Sequence, residues 1–189
     1  MGNLTAALKA RGMWEHTFIA LQSDNGGPSF SGSSHTANNW PLRGSKMSNW
    51  EGGVRVNGFV SGGFLQTVAP HMVGTTLNGF VHACDWYATF CSLGGVEKND
   101  RRAFKANLPP VDGLDMWPYF TGKAAASPRT EIFGDVDMVI SGEFKLISES
   151  TGSACWMGPH YPNNSVSPAC STSACGKGGC LFNVRCSGN

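Results

Sequence analysis

Two residues with hard oxygen donors stand side by side at Asp24 and Asn25, within Ser23-Asp24-Asn25-Gly26-Gly27. A carboxylate beside a carboxamide suits Ca2+ or Mg2+, which take oxygen ligands. The same stretch also reads as a plain turn, since Asn-Gly tolerates positive φ and is a strong hairpin signal. The preceding elements bear on how the pair is presented. Leu4, Ala7, Leu8 and Arg11 recur at helical spacing until Gly12, and Thr17 to Gln22 then form a mostly apolar strand. Such a strand suits a buried parallel sheet, where ligands gather at the carboxyl ends. On these residues alone the turn and the crevice both stay open.

A Ser- and Gly-rich loop runs from Pro28 to Asn39 and is followed by NNWPLRGSKMSNWEGGVRV, which packs two tryptophans, basic residues and a Glu-Gly-Gly corner into one stretch. Val54, Val56, Gly58 and Val60 alternate, which predicts a strand beginning near Gly53. Asp85 is placed to cap a helix through Phe90 and Cys91 that stops at Gly94-Gly95. Cys84, Ala88 and Cys91 share one face of it, as core residues would. Glu97 to Ala106 reads as a charged surface loop, PPVDGLDMWPYFTG as an ordered turn before a short helix, and Ala124 to Pro128 as a linker. Glu131–Phe133, Met138–Ile140 and Phe144–Ile147 read as strands of a small antiparallel sheet. The reading therefore divides the chain into 1–123 and 124–189.

Composition narrows the function classes. The chain has 189 residues and a formal net charge of +1, with basic residues scattered, so no general attraction to nucleic acid is implied. No apolar run approaches the roughly 20 residues of a membrane span, and no signal-peptide core is present in the chain. Of seven cysteines, five crowd the end (Cys155, Cys170, Cys175, Cys180 and Cys186) without CxxC spacing, which favours disulfides and an oxidising compartment over zinc. Asn3-Leu4-Thr5 and Asn163-Asn164-Ser165 are glycosylation triplets, in keeping with secretion.

The ordered blocks SDNGG, NNWPLRGSKMSNWEGGVRV, CDWYATFCSLGG, DGLDMWPYFTG and SPRTEIF resemble those of type I sulfatases, closest to the arylsulfatase B-like group, over about residues 4 to 149. The resemblance implies a fragment of an alkaline-phosphatase-like α/β sandwich, followed by a small antiparallel β subdomain and a Cys-rich tail. It implies that Asp24 and Asn25 ligate a divalent cation, usually Ca2+, and that Lys46 contacts the sulfate. Hydrolysis of a sulfate ester moves negative charge to the leaving oxygen, and a fixed cation and an ammonium would stabilise that transition state. Arg43 is a further candidate for steering an anionic substrate, or for pairing with Glu51. His35 is a candidate proton donor to the leaving group, and Trp40 and Trp50 are candidates for a substrate platform or for packing.

The family's nucleophile is formylglycine, made from the cysteine of a Cys-x-Pro-x-Arg motif, and no such motif occurs in the 189 residues. The expectation is the C-terminal part of an arylsulfatase-type hydrolase, inactive alone and possessing only part of the metal shell. Its substrate would be a sulfated small molecule or glycan, its partner the missing N-terminal half of the enzyme, and its location the secretory pathway or lysosome. A phosphate or phosphonate ester hydrolase of the same fold is one alternative, and a secreted non-catalytic binding protein derived from a sulfatase is another.

Overall fold

The computed structural model describes residues 1–28, 37–148, 154–156, 169–171, 175 and 178–184. In chain order the helices are α1 (Gly2–Ala10), α2 (Glu51–Val54), α3 (Gly63–Val68), α4 (Asp85–Leu93), α5 (Arg101–Lys105) and α6 (Trp117–Phe120). The strands are β1 (Ile19–Gln22), β2 (Gly58–Ser61), β3 (Glu131–Asp135), β4 (Met138–Ser141), β5 (Phe144–Ile147), β6 (Ala154–Trp156), β7 (Ala169–Ser171) and β8 (Cys180–Asn183). They gather into two compact units, one of residues 1–21 and 59–130, the other of 22–58 and 131–189.

In the first unit α1 ends where expected: Arg11 caps it and Gly12 takes φ +64°, a conformation glycine adopts without a Cβ penalty. Among the described residues β1 pairs only with β2, and it is half-exposed rather than buried as its apolar run predicts. The core is Met116, Tyr119 and Phe120, against which Phe18, Val60, Val81, Trp86 and Leu114 pack. Aromatic geometry orders it: Trp117 meets Phe18 edge-on at 5.5 Å and stacks on Phe64 at 5.7 Å. α4 stops at Gly94 and Gly95 as the sequence predicts. Asp85 is its first residue rather than its cap, and its carboxylate serves other segments. The charged stretch 97–106 is not all loop: Asp100 accepts from the amides of Arg102 and Ala103 and so starts α5. Nor is the stretch 124–128 a bare linker, since Ser127 Oγ donates to Phe80 O at 2.6 Å.

The second unit holds the antiparallel sheet β3-β4-β5-β8. Its first three strands fall where the alternation predicts, and β8 comes from the Cys-rich tail, pairing Lys145 with Phe182 and Ile147 with Cys180. A Cys175–Cys180 disulfide anchors the start of β8, in line with the disulfide reading of the tail. Cys84 and Cys91 are free thiols. Phe144 and Leu146 face outward while Lys145 and Ile147 are buried, so the apolar-in order of a half-buried strand holds at Ile147 and is broken by Lys145.

Candidate active site

Ser23-Asp24-Asn25-Gly26-Gly27 is not a hairpin turn, because β1 finds its partner at Gly58–Ser61, far along the chain. It is a corner locked to another corner. Gly26 N donates to Gly53 O at 2.9 Å, and a Cβ on Gly26 would lie 1.7 Å from Gly52 O, so only glycine fits. Asn39 closes the other side: its Oδ1 accepts from Gly27 N at 2.8 Å, while its Nδ2 donates to Gly27 O at 2.8 Å and Gly44 O at 3.1 Å.

Lys46 is brought to the same corner, its backbone N donating to Gly27 O at 3.2 Å. It sits in a tight turn in which Ser48 N donates to Ser45 O at 3.1 Å, Ser48 Oγ to Ser45 O at 2.7 Å, and Met47 has φ +67°. Ser45 and Ser48 are buried, whereas Lys46 is exposed at the tip. Polar side chains thus satisfy the turn internally and leave the ammonium at the surface.

The Glu-Gly-Gly segment is one helical turn, α2, rather than the start of a strand. A Cβ on Gly53 would meet Ser48 O at 2.2 Å, and one on Gly52 would meet Gly44 O at 2.5 Å. The expected backbone corner is therefore real, and it is made by carbonyls that approach too closely for any side chain. Glu51 Oε1 accepts from Lys145 Nζ at 2.8 Å instead of pairing with Arg43, whose guanidinium lies 4.1 Å from the Trp50 ring centroid. Trp50 is 3% exposed and meets Phe182 edge-on at 5.0 Å, so it packs rather than forming a platform, while Trp40 is exposed.

Asp24 is exposed, and its Oδ1 accepts from Asn25 N at 2.9 Å; Asn25 Nδ2 donates to Gly26 O at 2.8 Å. The carboxylate and the carboxamide oxygen of these neighbours fit a hard cation in kind, yet Ca2+ takes six to eight oxygens and these two residues supply only some of them. Among the described residues no group of three His, Cys, Asp or Glu side chains could hold a metal. His35 lies outside the described residues.

Lys145 is the residue that sequence reasoning missed. Its signal was a single charge within the apolar strand Phe144–Ile147. The first unit has a second unforeseen cluster. Asp85 is fully buried and accepts from His82 N and Leu114 N, each at 2.8 Å, and from the Arg129 guanidinium. Burial alone would raise its pKa, but the bonds from Arg129, Leu114 and His82 together hold the carboxyl below its ordinary value. Cys84 Sγ lies 2.9 Å from His82 Nδ1 and 3.5 Å from Arg129 Nη2. Burial, with Asp85 beside it, pushes this thiol up and keeps it protonated at neutral pH. The cluster joins three of the recurring sequence blocks and is structural.

With this mixed α/β frame and its paired corners in view, comparison with known proteins gives a consistent answer. Residues 1–96 match the family described as Sulfatase. Arylsulfatase J of Mus musculus is 35% identical over 156 residues, covering 82% of this chain and 23% of that protein. Steryl-sulfatase of Mus musculus is 27% identical over 192 residues, covering 98% of this chain and 27% of that protein. Among solved structures, PsFucS1 sulfatase from Pseudoalteromonas sp. aligns with a TM-score of 0.65 at 25% identity, over 98% of this chain and 34% of that one. Ps i-CgsB in complex with k-i-k-neocarrahexaose aligns at 0.59 and 28% identity, over 77% of this chain and 30% of that one.

The chain belongs to the sulfatase family. It spans 23% and 27% of the lengths of the two mouse relatives.

Proposed function

We propose that this chain contributes part of the active site of an arylsulfatase-type sulfuric ester hydrolase. The observation that carries the reading is the junction at Gly27: the backbone of Lys46 is bonded to the corner that displays Asp24 and Asn25. Lys46 then sets its ammonium against the nonbridging oxygens of the sulfate as charge builds in the transition state. Asp24 and Asn25 are the residues that would hold a divalent cation, Ca2+ in this reading, which when bound supplies positive charge beside the same oxygens. Arg43, held over Trp50, steers the anionic substrate inward, and His35 protonates the leaving group. The nucleophile lies outside these 189 residues, which contain no Cys-x-Pro-x-Arg motif. In this reading residues 1–123 derive from the catalytic α/β domain and 124–189 from a smaller C-terminal subdomain, while the compact units of the fold group 22–58, with the candidate site, and 131–189 together.

The substrate is a sulfated small molecule or glycan; Ps i-CgsB, a structural relative, was solved in complex with k-i-k-neocarrahexaose. The Cys175–Cys180 disulfide supports a secretory or lysosomal setting. No helix among the described residues is long and apolar enough to cross a membrane. The test is to purify the chain, titrate it with Ca2+ by calorimetry beside Asp24→Ala, and assay both on a chromogenic aryl sulfate. The reading expects at most weak Ca2+ binding by the chain alone, which Asp24→Ala weakens further, and no turnover. Robust turnover would overturn the partial-site reading, and binding indifferent to Asp24→Ala would overturn the metal assignment.

A further inference from the structure

Lys145 is buried to 1% exposure, although a lysine so placed must give up the hydration of its ammonium. Burial pushes its pKa down, and Glu51 draws it back up. The two residues are 94 positions apart, and the contact is not isolated. Lys145 stands directly opposite Phe182 in the β5-β8 register, and Trp50 packs on Phe182 just as its neighbour Glu51 bonds Lys145. Two consecutive residues of the corner thus dock on one cross-strand pair of the sheet. From there the bonds run to the site: Gly53 O holds Gly26 N at 2.9 Å, Gly52 N donates to Arg43 O at 2.6 Å, and Gly27 O holds Lys46 N.

We propose that Lys145 is a positioning residue for the candidate site: by neutralising Glu51 from β5, it holds the Glu51-Gly52-Gly53 corner in the geometry that places Gly26 and Lys46. The role assigned to that geometry rests on the reading of Asp24, Asn25 and Lys46 given above. The antiparallel sheet then belongs to the scaffold of the site rather than to an appendage. A buried pair contributes little net stability against an apolar substitute, but losing one partner strands a charge at the corner. The consequence should therefore be local.

Amide hydrogen exchange by NMR on the 189-residue chain tests this, with Ca2+ titration of the same samples. In Lys145→Gln, exchange at the amides of Gly26, Lys46 and Gly52 should rise roughly tenfold or more. The amides of Ile140 and Leu146 in the sheet should hold their rates, and Lys145→Arg should restore most of the protection. Ca2+ affinity should fall in Lys145→Gln and recover in Lys145→Arg. Unchanged exchange at Gly26 and Lys46, or an equal rise throughout the sheet, would overturn the proposal. Ca2+ binding that is indifferent to Asp24→Ala would overturn the metal reading alone, with exchange still deciding the positioning role. If Lys145→Gln does not fold, Glu51→Gln, which removes the charge and keeps an acceptor for Lys145, is read by the same criteria.

Discussion

Arg129 grips Asp85 with two nitrogens, Nε on Oδ2 at 2.7 Å and Nη2 on Oδ1 at 2.5 Å, across 44 positions of chain. Bidentate geometry and full burial of the carboxylate make this a strong charge-assisted contact. Asp85→Ala should cost about 3–5 kcal/mol in urea unfolding, because it leaves the guanidinium without its partner. The pH dependence follows from the lowered carboxyl pKa. The contribution is fully present above the ordinary aspartate value and is lost as pH falls through the depressed folded-state value. Urea midpoints measured between roughly pH 5 and pH 2 should fall more steeply for the wild type than for Asp85→Asn.

Glycine at position 26 is demanded by close approach, whereas glycine at position 2 is not. Gly26→Ala drives a Cβ into the Gly52 carbonyl and should destabilise the chain by about 2 kcal/mol or more. Gly2→Ala has nothing within 4 Å and lies in α1, so it should be neutral or stabilising by up to about 1 kcal/mol. Thermal unfolding of the two variants side by side separates these outcomes.

Asp24 and Lys46 are both exposed, so truncating either to alanine should move stability by no more than about 0.5 kcal/mol. In an active enzyme containing this segment, Lys46→Ala should lower kcat on an aryl sulfate by about 100- to 1000-fold. A normal melt with depressed kcat is the expected signature, while a normal melt with unchanged kcat would remove Lys46 from the mechanism.

The Cys175–Cys180 bridge closes a short loop at the edge strand β8. Loop-closure entropy for so short a ring is worth about 2 kcal/mol. The paired change Cys175→Ser and Cys180→Ser should cost about that much and should speed amide exchange in β8 before β4. Equilibrium unfolding and exchange mass spectrometry read the two effects.

The legible parts of this fold were those whose cause lies within a few residues. Gly12 and Gly95 ended α1 and α4 because left-handed backbone is a local requirement, and β3, β4 and β5 followed from alternation between turns. Where a short apolar pattern had two solutions, packing chose. Val54 lies in a helical turn because Gly52 and Gly53 must fit under neighbouring carbonyls, and α5 forms because Asp100 caps it. The Asp24-Asn25 pair and Lys46 were visible from residue chemistry and the recurring blocks. Their shared corner was not, since it is made by the backbone bond between Lys46 and Gly27 and by the side-chain carboxamide of the distant Asn39.

The sequence by itself determined the family, the helix ends, three strands of the sheet and the candidate oxygens and ammonium. Only the tertiary structure decided that Glu51 is answered by Lys145, that β8 completes the sheet, and that Asp85 serves Arg129 rather than its own helix. The physical reason is distance along the chain. Backbone conformation is set by neighbours, whereas the partner of a buried charge is whichever distant segment pays its desolvation, and no local pattern records that choice.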